Sequence, residues 1–208
     1  MNPRSRSLPK LYPITDTRLT RLSHAEQVER LAAGGATLIQ LREKRATPRE
    51  FYEASLAAMK VARALGVRII INDRVDIAVA VAADGVHLGQ DDLPADCARK
   101  LLGPHAMIGF STHNLKQALE ADSTSADYIA FGPVFVTSTK ENPDPVVGLQ
   151  SIAEIKSRVS KPLVAIGGIT LDRAASVIEA GAASVAVISD LYSAGDIVDR
   201  VAAFISRI

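Results

Sequence analysis

The chain has 208 residues, 48% hydrophobic and 23% charged, with 24 basic side chains against 23 acidic ones. That length supports one sizeable core, and a net charge of +1 with 4% aromatics and no Trp argues against a nucleic-acid or base-stacking surface. Cys97 is the single cysteine, so no intrachain disulfide forms, and no apolar run approaches the roughly 20 residues of a membrane helix. The basic segment 1–10 lacks the apolar stretch of a secretory signal. Residues 1–9 read as a flexible N-terminal extension, and the protein as soluble and cytoplasmic.

Strand-like and helix-like segments alternate along the whole chain. Residues 11–15 form a short apolar strand, and Ser23 caps a helix that ends before Gly34 and Gly35. Residues 37–41 form a β-branched, apolar second strand. Thr47 and Pro48 open a long helix, a cap followed by proline at the first helical position, and Gly66 closes it. The third strand spans 68–72, with a helix over 74–82. The fourth spans 85–88, with a helix from near Pro94 to Gly103. The fifth spans 106–110, with a helix over 114–121, and the sixth spans 127–131. The longest non-periodic segment, 132–148, holds Pro133, Pro143 and Pro145, and a loop of that length in a compact domain is usually functional. A helix over 149–159, a strand over 163–166, a helix from Leu171 to Gly181, a strand over 184–188 and a last helix complete the chain.

Eight strand–helix units, with strands apolar nearly throughout, indicate a parallel sheet covered on both faces. In about 200 residues this matches a single (β/α)8 TIM barrel at the small end of its range. The alternative is an open doubly wound sheet, but no Gly-x-Gly-x-x-Gly follows a strand to support one.

In such a barrel the chemistry sits at the C-terminal ends of the strands. The second strand ends in Gln40-Leu41-Arg42-Glu43-Lys44, where alternation puts Gln40, Arg42 and Lys44 on one face. Two cations side by side repel and lose hydration, and an anionic ligand relieves both. Asn72-Asp73 ends the third strand, and Gly89-Gln90-Asp91-Asp92 follows the fourth. Asp73 and Asp92 are an oxygen-ligand pair of the kind Mg²⁺ takes together with phosphates and water. Taken singly, each also reads as the cap of the helix after it. Ser111-Thr112-His113-Asn114 follows the fifth strand. Thr137, Ser138, Thr139 and Lys140 offer three hydroxyls and an ammonium to phosphate oxygens, or form a solvated loop. Gly167-Gly168 permits close backbone approach to a ligand or simply turns the chain. Ile188-Ser189 ends the eighth strand. His87, inside an apolar strand, reads as packed and hydrogen-bonded. His113 reads as a supporting group at the mouth, and Cys97 as packing.

Taken in order, Gln40-Leu-Arg-Glu-Lys44, Ile71-Asn-Asp73, Gly85-Val-His-Leu-Gly-Gln-Asp-Asp92, Ser111-Thr-His-Asn114, Gly132-Pro-Val-Phe135 with Thr137-Ser-Thr-Lys140, and Ala165-Ile-Gly-Gly-Ile169 resemble the thiamine-phosphate synthase family. The family is a small (β/α)8 barrel that joins 4-amino-2-methyl-5-hydroxymethylpyrimidine diphosphate to a thiazole phosphate and releases pyrophosphate. The resemblance implies two small phosphorylated substrates and Mg²⁺. It implies that Gln40, Leu41, Arg42, Glu43, Lys44, Asn72, Ser111 and Lys140 hold the pyrimidine diphosphate, with Arg42, Lys44, Lys140 and Ser111 catalytic. Asp73 and Asp92 would bind the metal. Thr137, Ser138, Thr139, Gly168, Ile188 and Ser189 would hold the thiazole phosphate. Val136 stands where proline is expected and Asp91 where glutamate is usual, and neither supplies a ligand. The segment around 137–145 reads as a lid. A thiazole tautomerase of the same superfamily, using His113 for proton transfer, and a regulatory barrel that only senses thiamine phosphates are the rival readings.

Overall fold

Local signals in the chain set most of the element boundaries. The computed structural model describes residues 7–137, 139, 144–193 and 195–208. Its strands are β1 (Leu11–Pro13), β2 (Leu38–Leu41), β3 (Arg68–Asn72), β4 (Gly85–Leu88), β5 (Met107–Thr112), β6 (Tyr128–Phe131), β7 (Leu163–Ala165) and β8 (Ser184–Val187). Its helices are α1 (Thr17–Thr20), α2 (His24–Ala33), α3 (Pro48–Leu65), α4 (Val75–Ala80), α5 (Ala95–Leu102), α6 (Leu115–Asp122), α7 (Gln150–Arg158), α8 (Leu171–Glu179), α9 (Ser189–Tyr192) and α10 (Ile197–Arg207). Reciprocal capping boxes open two helices: Ser23 with Glu26 on α2, and Thr47 with Glu50 on α3. Pro48 starts α3, and Gly66 ends it in the left-handed region at φ 72°. The two short helices α1 and α9 lie at strand ends where the sequence pattern shows no helical period.

All eight strands pair in parallel, in the order β1-β8-β7-β6-β5-β4-β3-β2. A bridge between Ile14 and Gln40, with the Thr15 N–H donating to the Gln40 carbonyl at 2.9 Å, joins β1 to β2 and closes the ring. The result is the (β/α)8 barrel. Strand alternation splits the core in two. Ile39, Leu41, Ile69, Ile71, Val86 and Ile108 face the helices. Tyr12, Leu38, Ile70, Met107, Tyr128 and Val164 fill the barrel interior. Gly109 makes room inside, because a Cβ there would lie 2.1 Å from the Tyr128 ring. Cys97 is exposed on α5, so it does not pack as the sequence suggested. No helix among the described residues is long and apolar enough to cross a membrane.

Candidate active site

The C-terminal mouth of the barrel opens into a cavity of about 480 Å³. Gln40, Arg42, Lys44, Asn72, Asp73, Asp92, Ser111, Thr137, Thr139 and Ile188 all line it, contributed by six strands and their loops. The alternation expected for the end of β2 holds, and it divides the segment. Leu41 is fully buried among the helices. Glu43 turns away from the cavity, accepts a hydrogen bond from Thr17 Oγ1 at 3.1 Å, and lies 3.8 Å from His24 Nε2. Their side chains support the barrel wall, although the stretch reads as ligand-binding throughout. Gly168 and Ser189 do not line the cavity. A Cβ on Gly168 would meet the Val136 carbonyl at 2.3 Å, and one on Gly167 would meet Pro133 at 2.4 Å. The two glycines, at φ 63° and 90°, therefore let the loop after β6 pack on the end of β7. Ser189 is exposed at the start of α9. Ser138 and Lys140 lie outside the described residues, as does most of the expected lid.

The two cations do not face each other uncompensated, as the sequence alone suggests. Lys44 Nζ donates to Asp73 Oδ2. Arg42 Nη1 lies 3.7 Å from Asp16 Oδ2. Asp16 is buried, caps α1, and binds Arg18 through both guanidinium and backbone N–H. Burial alone would raise its pKa. The hydrogen bonds and charge of Arg18, with the charge of Arg42, outweigh that and hold the carboxyl below its usual range. Asp16 is thus a positioning residue for Arg42 that no motif in the sequence announces. Asp16→Asn is expected to lower kcat/KM about tenfold, the scale of losing one partly buried ion pair that orients Arg42. It should also flatten the acid limb of the stability profile, because a depressed carboxyl stabilises the fold at neutral pH and loses that contribution as pH falls through its folded pKa. Steady-state kinetics and thermal melts across pH check both.

Asp73 and Asp92 approach within hydrogen-bonding range of each other. Neither caps a helix: the cap positions of α4 and α5 are Arg74 and Pro94, without side-chain bonds. Asp73 adopts φ 62°, its N–H donating to the His87 carbonyl at 2.8 Å. A left-handed non-glycine residue at a strand end is the kind of strained position that clusters at functional sites. Asp92 Oδ2 accepts from the Gly89 N–H at 2.7 Å. Burial, and then the charge and hydrogen bond of Asp73, raise the Asp92 pKa against that bond. A carboxyl raised in the fold ionises more readily in the unfolded chain. Raising the pH across that interval therefore favours unfolding. Asp92→Asn, which keeps an acceptor for Gly89, is expected to raise the melting temperature in excess EDTA at neutral pH. An unchanged or lower value would contradict the pairing.

Asn72 is 6% exposed, and its Nδ2 has no hydrogen-bond partner among the described residues. An unsatisfied buried donor at the cavity wall carries a penalty that a ligand acceptor removes. His113 Nδ1 donates to the Gly132 carbonyl at 2.6 Å, and its Nε2 lies 3.4 Å from Asp144. This clasp between two loops fits the supporting role. His87 is hydrogen-bonded through both nitrogens, as expected, but it also lines the cavity.

A cavity at the mouth of a (β/α)8 barrel, rimmed by two cations, a carboxylate pair and an open amide, defines an enzyme that handles small phosphorylated substrates. A family profile described as "Thiamine monophosphate synthase" matches residues 11–191. The chain is similar to the thiamine-phosphate synthase of Chloroflexus aurantiacus, 46% identical over 90% of this chain and 87% of the relative. It is 48% identical to that of Chlorobium phaeovibrioides over 88% of this chain and 86% of the relative. The thiamine phosphate pyrophosphorylase of Pyrococcus furiosus superposes with a TM-score of 0.84 at 39% identity, covering 95% of both chains. The chain belongs to the thiamine monophosphate synthase family, transferases of thiamine biosynthesis.

Proposed function

We propose that the chain joins the pyrimidine diphosphate to the thiazole phosphate at this cavity, with Arg42, Lys44, Asn72 and Lys140 on the diphosphate, Gln40 and Ser111 on the pyrimidine, and Mg²⁺ between Asp73 and Asp92. The observation that carries the reading is the carboxylate pair beside Arg42 and Lys44 on one rim. Two hard oxygen donors fit Mg²⁺, which completes its shell with phosphate oxygens and water rather than a protein cage. Bound there, Mg²⁺ would neutralise charge on the diphosphate.

The bond that breaks joins the pyrimidinylmethyl carbon to the diphosphate oxygen, and its electron pair leaves with the diphosphate. The aminopyrimidine delocalises the cation that develops. The thiazole nitrogen then donates its lone pair to that carbon, so no protein nucleophile is required. The chain's own task is to hold the leaving group where its charge grows and to keep water out. Diphosphate brings about three negative charges and the two aspartates two more; the metal, Arg42, Lys44 and Lys140 offset about five, which suits a water-poor site. Asp16 and Arg18 neutralise each other and leave this balance unchanged.

A tautomerase has no leaving diphosphate and no use for the paired carboxylates, and a sensor needs no turnover. Mixing the two substrates with Mg²⁺ and measuring released pyrophosphate separates the three. Absence of pyrophosphate with the folded protein removes the synthase reading.

A further inference from the structure

A chain of hydrogen bonds crosses the barrel interior beneath the cavity. Gln40 Nε2 donates to the Tyr12 hydroxyl at 3.2 Å. The Tyr12 and Tyr128 hydroxyls are 3.0 Å apart. The Tyr128 hydroxyl lies 3.0 Å from His87 Nδ1, and His87 Nε2 lies 2.8 Å from Ser111 Oγ. Both tyrosines are buried, and their rings pack edge to face. The His87 ring stacks on Tyr128 with 5.6 Å between centroids. The chain thus joins β2, β1, β6, β4 and β5 and ends at the cavity on both sides.

Counting protons makes it directional. A neutral tyrosine has one O–H and a neutral histidine one N–H. Tyr12 accepts from Gln40, and the sense in which every donor finds a partner within the chain sends its proton to Tyr128. Tyr128 then donates to His87 Nδ1, which leaves the histidine proton on Nε2, pointing at Ser111. Ser111 accepts there, and its own O–H is left to point elsewhere. We propose that this relay fixes the hydrogen-bonding sense of the cavity, with the Ser111 hydroxyl as donor and the Gln40 side-chain carbonyl as acceptor. Tyr12, Tyr128 and His87 are then positioning residues that select an aminopyrimidine over its 4-oxo counterpart. The inference rests on the reaction proposed above and names what sets its ring specificity.

The chemistry matches. An aminopyrimidine accepts at its ring nitrogens and donates from its exocyclic amine. The 4-oxo analogue reverses that sense at the adjacent edge, leaving donor against donor and acceptor against acceptor. A neutral histidine is required twice over. A cationic one would donate from both nitrogens and break the direction, and it would set a positive charge beside a ring on which positive charge develops. The ring is buried and bonded on both sides to hydroxyls rather than to a carboxylate, so its surroundings favour the uncharged form.

Nitrogen-15 NMR of the His87 imidazole at neutral pH tests the direction without any turnover. The wild-type protein is expected to hold the Nε2–H tautomer, and Tyr128→Phe to release it. An Nδ1–H tautomer in the wild type means that the relay runs backwards, and it overturns the proposal. Calorimetry with 4-amino-5-hydroxymethyl-2-methylpyrimidine and its 4-oxo analogue tests the selectivity. Folded Tyr128→Phe should lose about tenfold in discrimination, the scale of one hydrogen bond, and Tyr12→Phe/Tyr128→Phe should lose little more, because the relay is already cut. Unchanged discrimination in folded Tyr128→Phe also overturns it. Wild-type protein that shows the tautomer and the selectivity but releases no pyrophosphate would sink the proposed reaction and leave the relay standing.

Discussion

Excess EDTA is expected to stop pyrophosphate release, and added Mg²⁺ to restore it. The carboxylate pair is the reason. Asp73 and Asp92 stand in hydrogen-bonding range, and burial with the neighbouring charge raises the Asp92 pKa. Without a cation, the pair holds its proton more tightly than a lone carboxyl does. A divalent ion competes for that same proton, so metal binding releases it. Mg²⁺ affinity, read by calorimetry, should therefore fall as pH drops through the raised pKa of Asp92. Asp73→Asn removes one charged ligand and is expected to lower kcat by on the order of 10³, comparable to losing a preorganised charge-stabilising group. It also frees Lys44, whose ammonium donates to Asp73, so the loss should not be recovered by raising Mg²⁺ alone. Full activity in EDTA would contradict the metal's role outright.

The parts of this design differ in how far the linear chain reveals them. β3 at Arg68–Asn72 and β4 at Gly85–Leu88 follow from continuous apolar runs bounded by turn residues. The starts of α2 and α3 follow from Ser23, Thr47 and Pro48, because capping acts within three or four residues. Gln40, Arg42 and Lys44 share a face because alternation is a local rule. What stays hidden depends on distance in sequence. Tyr12 and Tyr128 meet across 116 residues, and His87 and Tyr128 across 41. Each looks like an ordinary core residue until the barrel closes. Asp16 belongs to no motif in the chain, and its second partner, Arg42, lies just past the end of β2. The pairing of Lys44 with Asp73 is hidden for the same reason. The repulsion inferred from the sequence counted neighbours along the strand and missed carboxylates supplied by others.

Replacing Arg42 or Lys44 with alanine is expected to cost on the order of 10²–10³ in kcat each, by analogy with losing one preorganised donor to a developing oxyanion. The same holds for Lys140→Ala if its ammonium reaches the leaving group as proposed. Stability should not follow activity. Lys44 is half exposed, and its pair with Asp73 is screened by water, so its removal should move the melting temperature little. Removing Arg42 leaves Asp16 still held by Arg18 through three hydrogen bonds, so no buried carboxylate is stranded. Arg42→Lys should recover only part of the loss, since an ammonium replaces a planar donor fork with a point charge on a more flexible stem. Single-turnover kinetics at saturating substrate separate chemistry from product release. The bond-breaking step should slow in all three alanine variants, because each cation matters most when the diphosphate gains its extra charge. Near-wild-type single-turnover rates in Arg42→Ala and Lys44→Ala would mean that the leaving group is stabilised elsewhere, and the rim assigned here to the diphosphate would have to be given another role.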